Sequence, residues 1–213
     1  MEKENYPTIL SIHIAKTAGT TFRELLQEYY RDQLCFFYGS LTNAACEPIA
    51  ALPINAKCLH GHFYLKDYRD NFPQAKCITW MRDPVERVVS EYAHLKRQPA
   101  DGNPLGQLIA QGFSLLDFAH HPDARNVQYK TIHSLNNFDF VGIAENFDAE
   151  LARLYSIVGL ELRSGHKSNL NPDKVGPRYL LEDRVRALLA KLNNEDEELY
   201  RAAQEKAAAG TIV

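Results

Sequence analysis

The chain has 213 residues, of which 45% are hydrophobic and 24% are charged, and its formal net charge is −3. These values are ordinary for a globular protein, so we predict one domain spanning 1–213 with a good-sized core. The slightly negative net charge gives no support for nucleic-acid binding. The sequence contains no recognisable signal peptide or membrane-spanning run, so we expect no membrane contact. An oligomeric state cannot be read from the sequence.

The first predicted elements are a strand and a helix joined by a polar loop. Apolar, β-branched residues predict a strand over 8–14, and helical spacing of apolar residues predicts a helix over 20–31. Where a strand breaks into a helix, the first helical amides point at the turn and the helix dipole is positive there. The loop is therefore predicted to bind a phosphate or sulfate, and Lys16 adds a full charge beside it.

Two histidines follow a short apolar strand predicted over 57–60. His60 and His62 flank a glycine at the carboxyl end of that strand. An imidazole titrates near neutral pH, which suits a general base. A zinc site or a role in the core is the alternative for such a pair. Zinc would need further ligands, and no Cys-x-x-Cys or His-x-x-x-His pattern accompanies them, so we predict no metal site. His13, in the first strand, is predicted to be structural.

A second strand–helix junction is predicted at 76–81 and 84–97. Asp83 is a favourable N-cap, and Pro84 suits the first helical position because its missing N–H has no partner there anyway. We expect Arg87 to pair with Asp83, four residues earlier.

The residues beside this junction predict a second anion contact. Arg82 lies just before the helix, so its guanidinium can reach an anion at the carboxyl edge of the sheet. Ser90 lies farther along the same helix and can add a hydroxyl.

The remaining segments continue the alternation of strands and helices. Such alternation predicts an α/β fold, with a central parallel sheet and helices on both faces, whose ligands bind beyond the carboxyl ends of the strands. The predicted segments are an irregular stretch with helical character to about Ala51, short helices at 104–111 and after the N-cap Ser114, a strand over 138–142, and helices over 147–158, 181–192 and 195–208, the last capped by Asn194.

Together these motifs resemble those of a known family. Lys16 precedes Gly19 in the first loop, unlike the order in a nucleotide P-loop, and Lys-Thr-x-Gly-Thr-Thr-Phe resembles the 5′-phosphosulfate loop of sulfotransferases. Arg-Asp-Pro-x-x-Arg-x-x-Ser-x-Tyr at 82–92 is similar to the 3′-phosphate segment of the carbohydrate group that includes heparan sulfate 2-O-sulfotransferases and bacterial relatives. Weaker similarities occur at 126–128, 138–148 and 196–200, so the resemblance spans roughly 8–203.

The resemblance implies a P-loop-like sulfotransferase fold and transfer of a sulfuryl group from 3′-phosphoadenosine 5′-phosphosulfate (PAPS), with 3′-phosphoadenosine 5′-phosphate (PAP) as product and no metal. His62 is the first choice for the base that deprotonates the acceptor, and His60 is the second. Lys16 would stabilise the leaving phosphate. The residues implied to bind the cofactor are Lys16, Thr17, Ala18, Gly19, Thr20 and Thr21 at the 5′ end, and Arg82 and Ser90 at the 3′-phosphate.

The implied acceptor is a hydroxyl on a small molecule or glycan, with a carbohydrate favoured. Animal relatives are membrane-anchored and this sequence shows no anchor, so a cytoplasmic enzyme is expected. Two alternatives stay open: a Mg-ATP-dependent small-molecule kinase and a non-catalytic PAP-binding module. Lys167 and Lys174 are candidate cofactor contacts in a polar loop, and four aromatic residues could either stack on a sugar or belong to the core, namely Phe63, Tyr64, Tyr68 and Trp80.

Overall fold

A five-stranded sheet forms the centre of the structure. The computed structural model describes residues 7–38, 52–53, 55–98, 103–163, 176 and 178–210. All neighbouring strands are parallel, and their order is β2-β3-β1-β4-β5. The strands are β1 (Ile9–Ile12), β2 (Leu34–Phe37), β3 (Cys58–Gly61), β4 (Lys76–Met81) and β5 (Phe140–Ile143).

Helices cover both faces of this sheet. Phe22 of α1 and Leu154 of α6 pack with Ile78 on one face, whereas Ile132 of α5 and Tyr200 of α8 belong to the cluster on the other face. Successive strand residues point to opposite faces, and both faces are buried, which explains the continuous apolar runs. The predicted fold class is therefore confirmed. The helices are α1 (Gly19–Tyr30), α2 (Pro84–Arg97), α3 (Pro104–Ala110), α4 (Leu115–His120), α5 (Val127–Ile132), α6 (Phe147–Val158), α7 (Asp183–Leu192) and α8 (Asn194–Ala208).

A third apolar cluster lies among helices α2, α3, α4 and α7. Val88 of α2, Phe118 of α4 and Leu189 of α7 are each fully buried in it. This packing fixes α2, whose N-terminus follows β4 directly. Among the residues that the structure describes, no helix is both long enough and apolar enough to cross a membrane.

The parallel register brings three strand ends to one edge of the sheet. Ser11 of β1 pairs with His60 of β3 on one side and with Ile78 of β4 on the other. The residues that follow these strands therefore meet at the same edge, as the α/β pattern predicts.

Three local predictions are wrong. The first strand ends at Ile12 and not at residue 14, and 34–37 form the edge strand β2 where irregular structure with helical character is predicted. Helix α8 begins at Asn194 itself, with Asn193 in the N-cap position. The Asn193 side-chain oxygen accepts a hydrogen bond from the Asn126 amide, which is a tertiary contact, and its amide nitrogen donates to the Leu189 carbonyl oxygen four residues earlier. Neither bond caps α8.

Candidate active site

The loop between β1 and α1 has a backbone suited to holding an anion. Lys16 and Ala18 adopt the left-handed region, at φ 68° and 69°, and Gly19 begins α1 directly after them. The buried Thr17 hydroxyl donates to the Ile14 carbonyl oxygen at 2.9 Å, which braces the loop from inside. Ala18, at the N-cap, has no side-chain oxygen that could cap the helix. Amides in such conformations form an anion-binding concavity at the positive end of a helix dipole.

Six of the residues predicted to bind the cofactor lie in this loop or in the first turn of α1. The Thr17 side chain is committed to the fold, so that residue can offer only its amide. Ser90 is 7% exposed on α2. Their contacts with a nucleotide stay predictions. The loop and the first turn of α1 contain Lys16, Thr17, Ala18, Gly19, Thr20 and Thr21.

Arg82 joins the loop to the second motif. Its Nη1 donates to the Lys16 carbonyl oxygen at 3.2 Å, and its side chain is 16% exposed. Lys16 is half-buried, and burial, followed by the Arg82 charge, lowers the pKa of its ammonium group. Two cations held together near a helix N-terminus favour a bound anion, because the anion would offset their repulsion.

A hydrogen-bond network from the C-terminal half fixes Arg82. The Arg82 amide donates to Gln128 Oε1, and Gln128 Nε2 donates to the Arg82 carbonyl oxygen, both at 2.9 Å. Glu145 Oε1 accepts the Asp83 amide at 3.1 Å and lies 4.0 Å from Arg82 Nε. Glu145 Oε2 accepts the Tyr200 hydroxyl at 2.8 Å. Three weaker motifs, around Gln128, Glu145 and Tyr200, thus support the position of Arg82.

The predicted ion pair between Arg87 and Asp83 is wrong. The Asp83 carboxylate accepts the Glu86 amide at 3.0 Å and so caps α2, as the sequence predicts. Arg87 is fully buried, and its guanidinium binds Glu91 and donates to the Ala124 carbonyl oxygen at 3.0 Å. The side chain therefore points into the helical cluster and away from the helix N-terminus.

Three histidine rings form one cluster beside the loop, here called the histidine cluster: His13 after β1, His60 in β3 and His62 after β3. The His13 ring centroid lies 5.4 Å from that of His60 and 4.9 Å from that of His62. Each ring has one buried nitrogen without a hydrogen-bond partner in the described part of the chain, namely His13 Nδ1, His60 Nε2 and His62 Nε2. Buried polar atoms are normally hydrogen-bonded, so a water molecule or a ligand is expected on these nitrogens.

Burial keeps the histidine cluster neutral. It lowers the pKa of His13 to about 2 and that of His60 to about 3, and it lowers the pKa of His62 as well. His60 is 1% exposed, and its Nδ1 lies 2.8 Å from Ser11 Oγ. His62 is half-buried, and its amide donates to the Phe37 carbonyl oxygen. A neutral imidazole can accept a proton, and His62 is the more accessible of the two predicted bases.

His13 was expected in the first strand, in a structural role, yet its ring belongs to this cluster. β1 pairs with β3 in a register that sets Ser11 against His60 and Ile12 against Gly61, so His13 comes level with His62. Sequence reasoning missed the proximity of His13 and His62, because this proximity depends on the pairing of two strands that are far apart in the chain. Ser11 and His60, for example, are separated by 49 positions. Alternation along the chain cannot supply that register.

Tyr38 is a second residue that sequence reasoning missed. It follows β2, is 41% exposed, and has its ring centroid 5.1 Å from that of His62. Arg23 of α1 lies beside it, with the guanidinium carbon 6.0 Å from the ring centroid. The apolar run at 34–37 was the signal for the strand that carries Tyr38. Of the four aromatic residues predicted to be either sugar-stacking or core, three are core side chains, namely Phe63, Tyr68 and Trp80.

Other candidate features do not add to the site. Lys167 and Lys174 lie outside the described residues. Within those residues, no group of three or more histidine, cysteine, aspartate or glutamate side chains is arranged to hold a metal ion. A groove of about 510 Å³ lies between α6 and 161–163, and none of the loop residues or histidines lines it.

The fold matches that of a solved sulfotransferase. No family model matches the chain, and no curated protein does. A sulfotransferase from Alicyclobacillus acidocaldarius has 14% identical residues and a TM-score of 0.50, and the match covers 93% of this chain and 96% of the other. Mouse sulfotransferase SULT7A1, solved with PAP, has 12% identity over 95% of this chain and 87% of its own, but at a TM-score of 0.45 it does not bear on the fold. The predicted α/β sulfotransferase fold is thus confirmed, and the narrower family stays a prediction.

Proposed function

We propose that this protein is a sulfotransferase that moves the sulfuryl group of PAPS to a hydroxyl acceptor on a carbohydrate. One observation carries the proposal: Arg82 donates to the Lys16 carbonyl oxygen, so two motifs suited to phosphate groups are in direct contact. The loop that contains Lys16 leads into the N-terminus of α1, on a fold shared with a sulfotransferase. The narrower resemblance to heparan sulfate 2-O-sulfotransferases rests on the motifs alone.

Each proposed residue has a defined part in the reaction. The loop amides and Lys16 bind the 5′-phosphosulfate, and Arg82 and Ser90 bind the 3′-phosphate. His62 accepts the proton of the acceptor hydroxyl while the acceptor oxygen forms its bond to sulfur. The bond from sulfur to the 5′-phosphate oxygen breaks in the same step, and Lys16 stabilises the negative charge that remains on PAP. His60, with Ser11 on its Nδ1, is the second candidate for the base.

Nucleotide-dependent thermal stabilisation tests this proposal. A ligand at about 100 times its dissociation constant stabilises the folded state by about 2.7 kcal/mol. For a chain of this size the expected rise in melting temperature is roughly 5–11 °C. We expect that rise with PAP, equally with and without Mg²⁺. Lys16→Ala should abolish it, whereas His62→Ala should keep it and lose sulfuryl transfer, because His62 acts on the acceptor.

The same measurement separates the two alternatives. A kinase would be stabilised by ATP only with Mg²⁺, and it would need carboxylate ligands for the ion. Asp83, the nearest candidate carboxylate in sequence, already caps α2. A rise that requires ATP and Mg²⁺ would overturn the sulfotransferase proposal. A PAP-dependent rise without PAPS consumption on any acceptor would indicate a non-catalytic PAP-binding module.

A further inference from the structure

The His13 ring lies directly against the glycine of the loop. A Cβ atom added to Gly19 would stand 1.8 Å from His13 Nε2, so the ring occupies the space that a side chain at this position would need. The same ring also packs against His60 and His62. His13 is thus in contact with both the anion-binding loop and the candidate base.

The groups around His13 favour the neutral form of its ring. His13 Nδ1 is buried and has no hydrogen-bond partner in the described part of the chain. The titratable and charged groups that face the ring are Lys16 in the loop, Arg23 on α1, and His60 and His62 at the end of β3. Tyr38, after β2, presents its ring edge-on at 5.7 Å. A neutral imidazole in the tautomer with a proton on Nδ1 can donate one hydrogen bond there.

Resting on the proposed function, we propose that His13 is a further catalytic residue, whose Nδ1–H hydrogen-bonds the sulfuryl group as it passes from the loop to the acceptor. The leaving phosphate sits on the loop, and the acceptor hydroxyl sits at His62. The sulfur moves between these two positions, and His13 contacts both of them. His13 Nδ1–H stays hydrogen-bonded to a sulfuryl oxygen while the bond from sulfur to the phosphate oxygen breaks and the bond from sulfur to the acceptor oxygen forms. The acceptor proton still goes to His62.

The sulfuryl group is the difference between PAPS and PAP, so their relative affinities test the proposal without an acceptor. In His13→Phe, which keeps a flat ring, we expect the Kd of PAPS to rise about tenfold while the Kd of PAP is unchanged, as for loss of one hydrogen bond to a charged group. His13→Asn returns an amide near the Nδ1 position and should restore part of the PAPS affinity. His120→Phe, on the exposed end of α4, is the matched control and should behave as wild type.

Three outcomes would overturn the proposal, and they are distinguishable. Equal weakening of PAPS and PAP in His13→Phe would mean that His13 only shapes the cleft. Unchanged affinity for both ligands would mean that His13 touches neither of them. Failure of the wild-type protein to bind either ligand would overturn the proposed function itself, and this inference with it.

Discussion

At the scale of single residues, the His13 ring leaves no room for a side chain at position 19. In Gly19→Ala the new methyl group would overlap the His13 ring. Overpacking of this kind costs about 1–3 kcal/mol. We expect Gly19→Ala to lower the free energy of unfolding of the wild-type protein by about that amount. In a protein that already carries His13→Ala, the same Gly19→Ala change should cost much less, because the ring that it would overlap is absent. Urea unfolding of the four proteins in this cycle measures the coupling.

Additive losses in that cycle would contradict the contact, because two side chains that do not meet have no coupling. Gly112→Ala serves as the comparison for glycine replacement in general. Gly112 has nothing within 4 Å of an added Cβ, and its φ is +108°, so any loss there reports backbone strain. That loss should not change in a background with His13→Ala.

Single residues also show how far sequence reasoning reaches into the site. Lys16 and Arg82 were predictable because each lies at a strand–helix junction, and such a junction is local in the chain. The contact between His13 and His62 was not, because it follows from the register of two strands that are far apart in sequence. Tyr38 likewise reaches His62 only through the pairing of β2 with β3.

At the scale of elements, helix α2 links stability to the site because its N-cap follows Arg82 directly. Asp83→Ala removes the hydrogen bond that the Glu86 amide donates to Asp83 Oδ1. The loss of this cap should lower the free energy of unfolding by about 1 kcal/mol. The expected fall in melting temperature is about 2–4 °C. Because α2 and Arg82 share this junction, we also expect weaker PAP binding. Asp83→Asn should keep most of the cap.

Ser114→Ala is the matched control for that prediction. Ser114 caps α4 through the Asp117 amide in a capping box, so its loss should lower the melting temperature by a similar amount. Helix α4 contributes to the helical cluster and not to the loop, so PAP affinity should stay unchanged. Equal effects of the two variants on PAP affinity would show that α2 has no special link to the site.

Elements with strong local signals were predictable from the sequence. Helix α2 has both a cap and an apolar face, and its predicted bounds match the structure. Strand β2 is short, lies at the edge of the described sheet and alternates only partly in burial, so its segment gave no clear period. Helix α8 begins one residue earlier than predicted, and the side-chain oxygen of Asn193, at its N-cap position, accepts from the Asn126 amide, a tertiary contact that no local pattern reveals.

At the scale of the whole molecule, alternation of strands and helices was enough to predict a parallel sheet with two covered faces. It could not predict the strand order, because that order depends on which strands pair across long separations. The order matters for function, since β1 lies between β3 and β4 and so brings the loop between the histidines and Arg82. The parts of the candidate site were therefore predictable, and its assembly required the structure.

The buried histidine cluster should make the whole fold sensitive to acid. The folded-state pKa values of His13 and His60, about 2 and about 3, lie below the ordinary value of 6.5, so the unfolded chain binds more protons under acidic conditions. Their stabilising contribution is complete above about pH 6.5 and is lost as the pH falls towards 3. Between pH 6.5 and 5 the loss should reach about 2 kcal/mol for each histidine.

Urea unfolding at several pH values between 7.5 and 5 checks this prediction. In His13→Phe the loss of unfolding free energy over this range should be about half of that in the wild-type protein, because the substitution removes one of the two histidines whose pKa is strongly lowered. Asp196 works in the opposite direction, since burial raises its pKa, and the lower limit of pH 5 keeps most other carboxyl groups ionised in both states. Equal losses in the wild-type protein and in His13→Phe would show that burial does not lower the pKa of His13 in the folded state. The ring would then gain a proton in the folded protein over this pH range and would not be the permanently neutral donor proposed for the sulfuryl group, so this stability measurement also bears on the chemistry.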